Sequence, residues 1–178
     1  MRHVNLLVLL LLAIAMPTYA TVVGFTADLE PFNEVPPHAT ASSAFGAFNY
    51  DSVAHTLSYD VTFTNLSSPA AAGHVHFGAA GINGPVILPF SPGPVGTSGE
   101  VMGVWTNASL INQGLSGITT IDQAYSVALA GNLYSNIHDS LFPGGEIRGQ
   151  LAVVPEPATF LLTASAALLF IRRKLRRE

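Results

Sequence analysis

The chain has 178 residues and a formal net charge of −4, room for one domain together with terminal signals. Residues 21 to 151 hold nine acids, Asp28, Glu30, Glu34, Asp51, Asp60, Glu100, Asp122, Asp139 and Glu146, against one base, Arg148, so this part alone carries −8. That balance excludes a nucleic-acid partner, because nothing neutralises phosphates, and suits metal cations or basic surfaces. The chain lacks cysteine, so its stability rests on a core that about 130 residues can supply.

In chain order, Arg2 precedes an apolar run from Val4 to Met16, and Thr18-Tyr19-Ala20 places small residues at the ends of a cleavage motif. This is the pattern of a secretory signal peptide over residues 1–20, with an apolar run too short to prefer a permanent span. Thr21 to Leu29 reads as a first strand, broken by Glu34-Val35-Pro36-Pro37, since proline cannot donate to a ladder. Ala44 to Tyr50 and His55 to Thr64 follow as a hairpin across a two-residue turn at Asp51-Ser52. Leu57, Tyr59, Val61 and Phe63 alternate with polar residues, as in an antiparallel strand with one face on a core.

Gly73-His74-Val75-His76-Phe77-Gly78 is the next strand, and two residues apart on a strand means one shared face, so His74 and His76 stand side by side. Pro85 to Phe90 is short and bounded by prolines, hence an edge strand. Gly99 to Thr106 resumes an extended pattern. Asn107 to Gly114 suits a turn or two of helix, and Ile121 to Ala130 a second helix with Thr120 as N-cap and Gly131 as its stop. Leu133 to His138 and Glu146 to Val153 are predicted as a closing strand pair. Many short strands with little helix indicate a sandwich or barrel.

Val154-Pro155-Glu156-Pro157 precedes an apolar stretch from Ala158 to Ile171 and then Arg172-Arg173-Lys174-Leu175-Arg176-Arg177. As a helix the apolar stretch rises only about 21 Å, a marginal anchor, and the basic cluster holds its end in the cytoplasm. Pro155, Glu156, Pro157, Arg172 and Arg173 in this order resemble the PEP-CTERM sorting signal. The resemblance implies residues 154–178 as a sorting signal with a transmembrane helix at 158–171, processing by an exosortase-type enzyme, transient residence in the membrane, and export across the inner membrane of a bacterium that makes an extracellular polysaccharide matrix.

Residues 21–153 form the remaining domain. Glu34-Val35-Pro36-Pro37, Gly73 to Gly78, Gly81-Ile82-Asn83-Gly84-Pro85-Val86, Asn136-Ile137-His138 and Pro143 to Leu151 resemble, in the same order, the CHRD domain first described in chordin and found in many exported bacterial proteins. The resemblance implies an immunoglobulin-like antiparallel β-sandwich or barrel, an extracellular setting and no established catalytic activity. A non-enzymatic binding or structural role is the reading this favours, with an extracellular polysaccharide or another exported protein as partner.

The chemistry-bearing residues leave a second reading open. His74, His76 and His138 can supply the nitrogen set of a copper or zinc site, with Asp60, Glu100 or Glu146 as an oxygen ligand or supporting acceptor. The His-x-His strand is similar to the copper-site pattern of Cu/Zn superoxide dismutases, an analogy that would allow redox activity. The bland reading is a histidine pair on a solvated strand face. His38 and His55 read as surface histidines. Arg148 is expected in a structural ion pair with Glu146, whose side chain shares its face, or with Asp60. There is no cysteine, and no serine sits in a nucleophile elbow, so no catalytic residue is assigned.

Overall fold

A computed structural model of the chain describes residues 22–155. The predicted signal peptide, Glu156 and Pro157 of the sorting motif, the apolar stretch at 158–171 and the basic cluster with Arg172 and Arg173 lie outside the described residues. Among the described residues no helix is long and apolar enough to cross a membrane.

The described strands are β1 (Val22–Leu29), β2 (Ser43–Asp51), β3 (Thr56–Thr64), β4 (Ala70–Phe77), β5 (Val86–Pro89), β6 (Gly99–Trp105), β7 (Leu133–Asp139), β8 (Ile147–Gln150) and β9 (Ala152–Val153). They form two antiparallel sheets, one ordered β6-β3-β2-β1-β9 and the other β5-β4-β7-β8. Two short helices, α1 (Gln113–Ser116) and α2 (Ile121–Leu129), follow β6.

The alternating residues of the first sheet do what their pattern predicts. Leu57, Tyr59, Val61 and Phe63 are buried, and Phe25 and Phe48 join them against Val75 and Ile137 of the second sheet. Two aligned sheets bury one face each in this way. Trp105 seals one side: it stacks on Tyr59 and Phe90, and its indole N–H donates to the Pro89 carbonyl at 2.7 Å. That bond links edge strand β6 to edge strand β5 of the other sheet.

The opposite side closes by a change of sheet. The sequence predicts one strand from Glu146 to Val153; the chain instead pairs with β7 through Gln150, turns at buried Leu151, and pairs with β1 from Ala152. Gly149 makes the crossing possible, because a Cβ there would press on the Asp28 carbonyl. The hairpin turn also differs from expectation. Thr56 faces Asp51, which leaves residues 52–55 in the loop, and the Asp51 carboxylate accepts the amides of Val53 and Ala54.

Helix α2 has the expected ends. The Thr120 hydroxyl accepts the Gln123 amide, and Gly131 takes a positive φ of 72° as the stop. The region from Asn107 to Gly114 is less helical than predicted: a 3-10 turn at Asn107–Ser109, then a separate turn at α1.

Candidate metal centre

Strand register assembles the site. Across β4, β7 and β8, His74 faces Asn136 and Asn136 faces Arg148, while His76 faces Tyr134 and Tyr134 faces Gln150. His138 faces Ala72, one pleat along from Asn136 on the same side. All these side chains lie on the face of the sheet away from the core, because Val75, Ile137 and Ile147 occupy the other. This outer face is not solvated as an ordinary sandwich face is. Residues 31–38, 79–84 and 142–145 fold over it, so His76, Tyr134, Asn136 and Arg148 are buried.

The three histidines meet. Each offers one ring nitrogen, and the three nitrogens lie within 4.8 Å of one another. His74 Nδ1 is 3.2 Å from His138 Nε2. Two nitrogens bound to one tetrahedral zinc or copper ion at about 2.05 Å would stand about 3.3 Å apart, so the spacing suits a shared ion.

The backbone settles two of the tautomers. His76 Nδ1 lies 2.9 Å from the Gly84 carbonyl and His138 Nδ1 lies 3.0 Å from the Pro143 carbonyl. A carbonyl oxygen only accepts, so both Nδ1 atoms carry the proton and both Nε2 atoms present lone pairs. His138 Nε2 then accepts from His74 Nδ1, whereas His76 Nε2 is buried without a hydrogen-bond partner. An imidazole held by a carbonyl on one nitrogen and bare on the other is the arrangement that metal-ligating histidines show.

Electrostatics keeps the trio neutral. Burial pulls His74 down to about 4, helped by the neighbouring His138 and His76. Burial also pulls His76 down to about 4, opposed by the Gly84 carbonyl and helped by His138 and Arg148. His138 is lowered by burial, against the Pro143 carbonyl. At neutral pH none of the three rings is protonated to a cation, and the Nε2 lone pair of His76 stands free while that of His138 is held by His74 Nδ1–H.

The carboxylates expected beside the histidines are elsewhere. Asp60 and Glu100 are exposed on the outer face of the five-stranded sheet, where strand alternation puts them. Glu146 is fully buried and accepts the Ser67 amide and hydroxyl, the latter at 2.7 Å.

The expected ion pair of Arg148 is also corrected. Its guanidinium donates from Nη1 to Asn83 Oδ1 at 3.0 Å and from Nη2 to the carbonyls of Ala79 and Ile82 at 3.1 and 2.8 Å. The carboxylate that acts on it through space is Glu34, and neither Glu146 nor Asp60 lies within ion-pair distance of it. Strand alternation predicts Glu146 and Arg148 on the same side, but β8 begins only at Ile147 and the Glu146 carboxylate turns to Ser67.

Of the other histidines, His55 is exposed and pairs with Asp122 at 3.0 Å, and Asp122 also accepts the Tyr50 hydroxyl at 2.8 Å. His38 packs against Phe142 with ring centroids 4.5 Å apart and planes tilted by 49°. Two contributors escaped the sequence reading. Asn83-Gly84 enters the sequence analysis only within a family motif, with no role of its own, yet it supplies the acceptors for Arg148 and His76. Glu34 looked like a strand break, yet it is buried and accepts from the Asn136 amide.

The fold and this site define a two-sheet antiparallel β-sandwich with a histidine cluster under its loops. The family model of the CHRD domain matches residues 25–151, and the chain belongs to that family. No curated protein and no solved structure matches it.

Proposed function

We propose that this CHRD-domain protein is an exported, non-enzymatic module that binds one copper or zinc ion through His74, His76 and His138. The observation that carries the reading is the buried, unpartnered Nε2 of His76 beside His74 and His138. An unsatisfied buried acceptor costs about 1–3 kcal/mol, and a bound cation removes that cost. Three neutral imidazoles without thiolate or carboxylate suit both ions. His74 is hydrogen-bonded to His138 when no ion is present, so binding requires its Nδ1 proton to leave or move to Nε2.

Export is supported by the signal-peptide pattern and by the resemblance to PEP-CTERM, with an exosortase-type enzyme as the processing partner. In this reading the ion is structural or stored at the cell surface or in the matrix, where the domain meets polysaccharide or another exported protein. The test is elemental analysis of the protein purified without chelators from cells supplied with copper and zinc. About one equivalent of either metal, lost in His76→Ala and in His138→Ala, is the expected outcome. A folded protein that holds no metal, and takes up neither ion in titration, overturns the reading.

A further inference from the structure

Arg148 is the sole base of residues 21–151, yet it is only 2% exposed and is the largest fully buried side chain among the described residues. A buried cation without a counter-ion costs several kcal/mol unless its donors are satisfied. Here they are satisfied by the loop at 79–84, through Ala79, Ile82 and Asn83, and by the ring of Tyr134, whose centroid lies 3.4 Å from the guanidinium carbon.

Both sets of contacts lead to His76. The same loop carries the Gly84 carbonyl that holds His76 Nδ1–H. Its amide, Gly84 N–H, donates to the Tyr134 hydroxyl at 3.2 Å. The Tyr134 ring is stacked on the His76 ring, with centroids 4.7 Å apart and planes 10° from parallel. A guanidinium and an imidazole at these distances would collide on one face of the phenol, so Tyr134 is sandwiched between them. Arg148 thus clamps from two directions the one histidine whose free nitrogen is buried.

Resting on the metal-binding reading, we infer that Arg148 and Tyr134 are positioning residues of the three-histidine site, which fix the ring plane and the Nδ1–H tautomer of His76 and thereby set the affinity for the ion. The cation one ring away also opposes a second positive charge on the ion. For copper it therefore favours the cuprous state over the cupric one.

The experiment has one readout without metal and one with it. In chelator-treated protein, imidazole ¹⁵N shifts report His76 as the Nδ1–H tautomer. Tyr134→Phe keeps the stacked ring and removes the acceptor for Gly84 N–H. Asn83→Ala removes an Arg148 anchor at an exposed position, together with the bond from its side-chain amide to the Val35 carbonyl. Arg148→Met removes the charge, and Arg148→Lys returns it without the fork. The expected result is that Tyr134→Phe, Asn83→Ala and Arg148→Met admit the Nε2–H tautomer. Tyr134→Phe and Asn83→Ala, which keep the Arg148 charge, also weaken copper(II) binding, measured by chelator competition, by about 10- to 100-fold. Arg148→Met also lowers the copper midpoint potential, and Arg148→Lys recovers part of it. A His76 tautomer unchanged in every folded variant overturns the inference, whether or not metal binds. Tautomer shifts in the variants of a protein that takes up neither copper nor zinc would uphold the control of the His76 ring and overturn both its effect on affinity and the metal reading.

Discussion

Glu34 offers a prediction whose sign and size both follow from its surroundings. Its carboxyl is 4% exposed and accepts the Asn136 side-chain amide, and burial pushes its pKa from 4.5 up to about 7, with the Arg148 charge opposing the rise. Between those two values the unfolded chain releases a proton that the folded chain retains. Stability therefore falls as pH rises from about 4.5 to about 7, and the loss is complete above that window. At about 1.36 kcal/mol per pH unit the loss approaches about 3 kcal/mol. Glu34→Gln keeps an oxygen for Asn136 and removes the titration. The unfolding free energy of the variant relative to the native protein should thus move in the variant's favour by about 3 kcal/mol between pH 4.5 and pH 8.

Urea unfolding of both proteins in chelator at four or five pH values measures this directly. The comparison matters because the depressed histidines act in the opposite direction. Each has a folded pKa below its unfolded value, so each loses stability as pH falls from about 6.5 toward about 4. Their contribution is common to both proteins and cancels in the difference. A difference that stays within about 1 kcal/mol across the range would refute the assignment of Glu34 as the buried, late-ionising acid.

Gly84→Ala places a Cβ on the Phe77 carbonyl, a backbone atom that cannot step aside. The loop at 79–84 must shift, so the variant should lose about 1–3 kcal/mol in thermal or urea unfolding and bind metal more weakly than the native protein in titration. Trp105→Phe removes the indole N–H that joins β6 to Pro89 and leaves a gap beside Tyr59 and Phe90. A loss of about 1–3 kcal/mol in urea unfolding is expected, with metal stoichiometry unchanged, because this seal lies on the core side of the sandwich.

Much of the strand layout is legible in the sequence. Leu57, Tyr59, Val61 and Phe63 alternate because one face of β3 meets the core, and His74 and His76 share a face for the same geometric reason. Thr120 and Gly131 bound α2 through local chemistry, an N-cap hydroxyl and a positive φ, which sequence carries without help from the rest of the fold. The resemblance to the CHRD domain was legible for a related reason: its motifs are runs of adjacent residues.

The partners of Arg148 and the crossing at Leu151 were not legible. Each depends on pairing between residues far apart in the chain, Asn83 with Arg148 and Thr26 with Ala152. Likewise β7 reads from sequence only as one strand of a closing pair, yet it is buried almost throughout because three loops return over it. Alternation along a strand reports which residues share a face, not what later covers that face. The sequence by itself therefore determined the strands, the helix ends and the pairing of two histidines on one surface. Only the tertiary structure decided that His138 joins them, that Gly84 and Pro143 carbonyls orient their rings, and that the lone buried arginine stands behind one of them. Local patterns follow from bond geometry and periodicity, whereas such a site is made by long-range register and loop closure.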